Sequence, residues 1–207
     1  MGQRSQIYIH FHVGDNKGMI ARYFQWNYGE HMVSRARSII EFLESKCKRK
    51  PFMFQDAENI TRLNRFCDID FDMRNMDISV DILEYCKSNR NFDAESVFGQ
   101  PNNDGQLLID VTDNGIKYCF IDYYTEPKPM NAEQYMKWNT ECETHPDWHE
   151  PDKYTDKETI DYTERNITFI DTVAELMTEQ EVREFLDRDY NLLLGGHETE
   201  EYEVPRF

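Results

Sequence analysis

Asn114-Gly115 stands between two apolar runs, one from Leu107 to Asp113 and one from Ile116 to Asp122. Few local patterns restrict a fold as tightly. An Asn-Gly pair in that setting predicts a type I′ hairpin, because both turn residues must take positive φ. In that register Val111 faces Tyr118 and Ile109 faces Phe120, giving one apolar face. A second hairpin is expected at the start of the chain. Ile7, Ile9, Phe11 and Val13 alternate with Gln6, Tyr8, His10 and His12, after Arg4, over residues 4–13. That period of two describes a half-buried strand. The turn is expected over Gly14-Asp15-Asn16-Lys17-Gly18, with Met19 to Trp26 returning as the partner strand.

Helical spacing takes over between and after the hairpins. Val33, Ala36, Ile40 and Leu43 mark a helix over 30–47, with Arg35, Arg37 and the Lys46 to Lys50 cluster on its other side. A short helix is expected over about 56–67, with Ile60, Leu63 and Phe66 inward, and Ser79 is expected to cap another carrying Val80, Leu83 and Cys86. Asn131-Ala132-Glu133-Gln134 and Thr178-Glu179-Gln180-Glu181 each have capping-box spacing. They open helices through Tyr135 and Trp138 and through Val182, Phe185 and Leu186. A further helix is expected over 160–176, after a long polar loop over 139–158. The pattern as a whole predicts one α+β domain over residues 1–190, with a mostly antiparallel sheet from two hairpins packed with helices. Residues 191–207 read as an acidic, mobile tail.

The chain's 207 residues suit a single domain with a sizeable core. Net charge is −17, and it is graded: +5 over residues 1–50, −8 over 51–140 and −14 over 141–207. A molecule with that field repels a phosphate backbone, so direct nucleic-acid binding is not expected. No apolar run reaches the roughly 18 residues of a membrane span, and no signal peptide follows the first basic residues. The five cysteines, Cys47, Cys67, Cys86, Cys119 and Cys142, are odd in number and scattered, which fits reduced thiols in a cytoplasm.

Four constellations are candidates for chemistry. Arg4, Gln6, His10 and His12 lie on the polar face of the first strand, with Arg22 and Gln25 on its partner. Buried under helices, they would form a polar cluster of the kind that builds sites. Cys142, His145 and His149, beside Asp147 and Glu150, have the spacing of half a zinc site. Asp68, Asp70 and Asp72, followed by Asp77 and Asp81, open like a calcium loop. Met73 replaces its glycine and Ser79 its terminal glutamate, which rejects that reading and leaves a magnesium site as the sharper option. Gln25, Trp26, Asn27 and Tyr28 join hairpin to helix and could form an aromatic recognition surface or core. No phosphate loop, nucleophile elbow, dinucleotide fingerprint or His-Glu-x-x-His motif is present, and no cofactor is expected.

The opening Met1-Gly2-Gln3-Arg4-Ser5-Gln6-Ile7-Tyr8, the run from Ile20 to Glu30 (IARYFQWNYGE) and Ser34-Arg35-Ala36-Arg37 resemble a group of small phage and mobile-element proteins of gut Firmicutes. The likeness extends more loosely over Asn103 to Asp110. The resemblance implies a context in which small acidic proteins inhibit host defence, anti-CRISPR proteins among them, some by imitating DNA. The expected function is therefore a cytoplasmic, host-cell interaction protein that inhibits a basic defence protein or nucleoprotein, for instance a CRISPR effector. Gln25, Trp26, Asn27 and Tyr28 would anchor it, and Asp147, Glu150, Asp152, Asp156 and Glu158 would compete with phosphates. The alternative is a nucleotide- or RNA-directed hydrolase built on Arg4, Gln6, His10, His12 and Arg22, with a histidine as acid/base.

Overall fold

A computed structural model describes residues 4–14, 16–25, 27–47, 79–83, 104–122, 127–141 and 157–193. The first hairpin is β1 (Arg4–Val13) and β2 (Asn16–Gln25), followed by α1 (Gly29–Cys47). A short strand β3 (Ser79–Asp81) precedes the second hairpin, β4 (Gln106–Thr112) and β5 (Gly115–Ile121). Then come α2 (Ala132–Glu141), α3 (Lys157–Val173), β6 (Glu175–Leu176) and α4 (Glu179–Leu193). The fold is α+β, and both hairpins belong to one six-stranded sheet in the order β3-β2-β1-β4-β5-β6. Pairing is antiparallel within the hairpins and between β2 and β3. It is parallel where β1 meets β4 and β5 meets β6.

The sheet is covered on both faces, which corrects the half-buried reading of the first strand. Ile7, Ile9, Phe11 and Val13 pack with Ile20, Phe24, Leu107, Ile109 and Phe120 under α1, α2 and α3. Tyr8, Ala21, Leu108, Cys119 and Ile121 pack on the other face with Ile82, Met177, Val182 and Phe185. The alternation assigned side chains to the correct faces, but α4 closes the face that looked polar. Arg35 is corrected in the same way. Helical spacing puts it on the outer side of its helix, yet it is 3% exposed, its guanidinium over the Phe24 ring.

Each turn differs from its expected form for a local reason. In the second hairpin Thr112 pairs with Gly115, Val111 with Ile116 and Ile109 with Tyr118. The loop is therefore Asp113-Asn114, one residue earlier than the Asn-Gly reading. Thr112 Oγ1 accepts the Asn114 N–H at 3.2 Å, and the Asp113 carboxylate accepts the Gly14 N–H at 3.1 Å. These side-chain bonds select the earlier turn and tie the two hairpin tips together. Gly115, at φ 140°, then begins β5 in a conformation that suits glycine. The pairing moves by two residues, so every side chain keeps its face. In the first hairpin Val13 already pairs with Asn16, so the turn is shorter than the five residues expected. Gly18 lies within β2 opposite Phe11, whose ring occupies the space a Cβ would need.

Both capping boxes form. Asn131 Oδ1 accepts the Gln134 N–H at 2.8 Å, and Gln134 Oε1 accepts the Asn131 N–H at 2.9 Å. Thr178 and Glu181 make the matching pair at 3.3 and 2.9 Å. Ser79 does not cap a helix; it opens the edge strand β3, and helical residues begin at Ile82. The helix α4 runs to Leu193, three residues into the segment expected as a tail. The expected helix at 56–67, the aspartates at 68–77, Cys86 and the rest of the tail lie outside the described residues.

Candidate functional site

Strand register decides which polar residues share a face. Gln6 pairs with Tyr23 and with Gln106, and His10 pairs with Met19 and with Asp110. Asp110 in turn pairs with Lys117. These side chains stand on the α4 face with Tyr8. Arg22 pairs with Ile7 and so stands on the opposite face, beside Ile20 and Phe24. The five-residue cluster expected from sequence is therefore divided by the sheet. Gln6 and Tyr8 are fully buried, His10 is 4% exposed and Arg22 6%. His12 is exposed at the far end of β1.

Two polar layers result on the α4 face. The first is centred on Gln6, whose Oε1 accepts from Tyr8 Oη at 2.8 Å and from Gln106 Nε2 at 2.9 Å. The second joins sheet to helix. His10 stacks on Phe185 with ring centroids 4.2 Å apart, and its Nε2 lies 3.2 Å from Met19 Sδ. Arg188 donates to Asp110 Oδ2 at 3.0 Å, and Lys117 Nζ donates to Glu181 Oε1 at 2.6 Å. A histidine so placed is a covered core group rather than an accessible acid/base. Sequence alone assigns none of Asp110, Lys117, Glu181 and Arg188 to a site, and reads Glu181 only as a capping residue. For Asp110 and Lys117 the signal is a single charge interrupting an apolar run, whereas Glu181 and Arg188 stand among other charges of an amphipathic helix, and the long-range packing that gathers the four has no local signature.

The Lys117–Glu181 pair shifts both partners. Its hydrogen bond holds the Glu181 carboxyl below the usual range and the Lys117 ammonium above it. A depressed carboxyl stabilises the fold above its unfolded pKa and loses that contribution as pH falls. A raised ammonium loses its contribution as pH rises beyond the lysine range. The pair thus adds stability between those limits. Both side chains are about one-third exposed, so screening limits the effect. Glu181→Gln retains the capping geometry and is expected to cost about 0.5 kcal/mol at neutral pH, less in high salt. A urea titration at two ionic strengths checks this, and an unchanged midpoint at low salt refutes it.

Within the helix-entry segment the structure places Asn27 in the core. Asn27 is fully buried. Its Nδ2 donates to Ser5 Oγ at 3.1 Å and lies 2.9 Å from Met32 Sδ, while its Oδ1 accepts from Arg35 Nε at 3.1 Å. Those bonds fix β1 to α1, so Asn27 is not a contact for a partner. Tyr28 is half-buried and stands edge-on to His31, and Gln25 is half-buried on the rim of the α4 face. Trp26 lies outside the described residues, as do Cys142, His145, Asp147, His149, Glu150, Asp152 and Asp156. Glu158 is exposed in the first turn of α3. Among the described residues no group of three or more His, Cys, Asp or Glu could hold a metal ion. Burial pushes the Cys119 thiol up, so it stays protonated and inert.

Comparison with known proteins gives no match: no family model, no curated protein and no solved structure. Among the described residues no helix is long and apolar enough to cross a membrane.

Burial and the Asp171 acceptor both raise the Tyr118 hydroxyl, which also accepts the Ala132 N–H at 3.2 Å. That phenol joins β5 to α2 and α3 and is spent on packing. The interior polar groups described so far either tie elements together or lie under helices. The outward sides of α3, β6 and α4 are different. Glu158, Glu164, Glu175, Glu179, Glu184 and Asp187 are exposed there, among Lys157, Arg165, Arg183 and Arg188.

Proposed function

We propose that this chain is a non-catalytic interaction protein that presents an acidic surface to a basic partner. The observation that carries the reading is the excess of exposed carboxylates along β6 and α4 on one side of the sheet and along α3 on the other, within a chain of net charge −17. Carboxylates on rigid helices attract lysine and arginine side chains and accelerate encounter with them. Tyr28, half-buried at the start of α1, would add an aromatic anchor. We further propose that the partner is a host-defence nucleoprotein such as a CRISPR effector, in keeping with the sequence resemblance of the first 37 residues. Carboxylates would then occupy positions that nucleic-acid phosphates otherwise fill.

The test is binding of the full chain to purified CRISPR effector nucleoproteins across a salt series. Affinity is expected to fall as salt rises, and a triple reversal of Glu179, Glu184 and Asp187 to lysine is expected to weaken binding at least about tenfold, or 1.4 kcal/mol. The bound effector should also lose its hold on target nucleic acid. Binding that ignores salt and survives the reversal would sink the electrostatic reading. Failure to bind any effector would remove the proposed class of partner.

A further inference from the structure

The N-terminal end of the α4 face of β1 carries a polar arrangement that protein–protein attraction does not explain. Arg4 pairs with Gln25, Gln6 pairs with Tyr23 on one side and Gln106 on the other. Directly opposed side chains in such a sheet stand about 5 Å apart, and diagonal neighbours about 7–8 Å. The floor is buried: Gln6 and Tyr8 are fully enclosed and Gln106 is 1% exposed. The rim is half-buried and consists of Arg4, Tyr23 and Gln25. Arg4 also acts on Tyr23 electrostatically, which brings its charge to this rim.

Two atoms here are uncommitted. Gln106 donates through Nε2 to Gln6, but its Oε1 is buried with no hydrogen-bond partner. Arg4 Nε is likewise buried with no partner. Turning the Gln106 amide over by itself would set two carbonyl oxygens against each other at Gln6, so with Gln6 oriented as it is the open group is an acceptor. A buried acceptor without a donor costs about 1–3 kcal/mol. Native interiors carry few of them, and one on the same sheet face as an orphan donor, two residues along the neighbouring strand, suits a ligand that brings both complements. An aromatic ring on the same rim suits a flat one.

We propose that Arg4, Tyr23, Gln25 and Gln106 bind a nucleobase bearing an exocyclic amine, as a nucleoside or a single nucleotide. The amine donates to Gln106 Oε1. A ring nitrogen or carbonyl accepts from Arg4 Nε, and the base lies against the Tyr23 ring. Arg4 brings one cation to the rim, and the strongly acidic molecule around it disfavours a polyphosphate. This inference does not depend on the identity of any protein partner.

The probes are adenosine and cytidine, with purine riboside as the analogue of adenosine lacking the amine. Titration of the full chain is followed by calorimetry and by the side-chain amide resonances of its glutamines. Adenosine or cytidine is expected to bind and to shift the Gln106 amide signals, and purine riboside to bind at least about tenfold more weakly, since it leaves the acceptor unpaired. Gln106→Leu removes that acceptor and is expected to melt no lower than the wild type while losing adenosine. Arg4→Gln is expected to weaken adenosine without unfolding the chain. The proposal is overturned if neither nucleoside binds at millimolar concentration. It is also overturned if purine riboside binds as well as adenosine, or if Gln106→Leu binds as well as the wild type.

Discussion

Phe185→Ala is expected to lower unfolding stability by about 3–5 kcal/mol, the range for a large aromatic removed from a core. Phe185 is fully buried, and it is the side chain through which the middle of α4 reaches the sheet. It covers His10 by ring stacking and packs within the cluster containing Val182 and Met177. The two ion pairs that flank it, Glu181 with Lys117 and Arg188 with Asp110, bridge partly exposed side chains and cannot hold the helix alone. Truncation thus removes the apolar contact and uncovers an imidazole that now lies under carbon. Phe185→Leu keeps most of the volume and is expected to cost far less. Urea denaturation of the three proteins at one pH measures both differences. A loss below about 1 kcal/mol for the alanine variant would mean that α4 does not seal this face. The same experiment bears on the hydrolase alternative, because a histidine needed for proton transfer would have to escape this stack.

How far the sequence alone reaches can be judged from particular elements. The capping residues Asn131 and Thr178 marked their helices because the bonds they form span three residues. The two hairpins were legible because alternation and turn chemistry are local, although Thr112 and Asp113 moved one turn by a residue. The parallel join of β1 to β4 was not legible, since it links segments about a hundred residues apart with no turn between them. From that join follow the covering of both faces, the pairing of Gln6 with Gln106 and of His10 with Asp110. Arg22 falls on the Ile7 face, against expectation, because its strand reads equally well on either face until the hairpin register is known. Arg35 looked like an outer charge until Asn27 and Phe24 came to meet it. Sequence found Arg4, Gln6 and Gln25 as one polar group, and Tyr23 and Gln106 became visible only as their cross-strand neighbours.

Asn27→Ala is expected to cost about 3 kcal/mol, because it removes a buried amide whose oxygen serves a buried guanidinium. The variant deprives Arg35 Nε of its acceptor and Ser5 Oγ of a donor, and it leaves a gap beside Met32. Hydrogen bonds to charged groups contribute more than neutral ones, and losing one partner costs more than losing both. Tyr28→Ala, at a half-buried position one residue away, is expected to cost about 1 kcal/mol or less. Binding should divide the two in the opposite sense. The Asn27 variant should lose partner only in proportion to the fraction unfolded, whereas the Tyr28 variant should lose affinity while melting nearly as the wild type does. Thermal unfolding and titration on the same samples separate the effects. An Asn27 variant that melted normally yet failed to bind would return this residue to the recognition surface. The buried network at the start of α1 would then have no claim to hold the first hairpin in place.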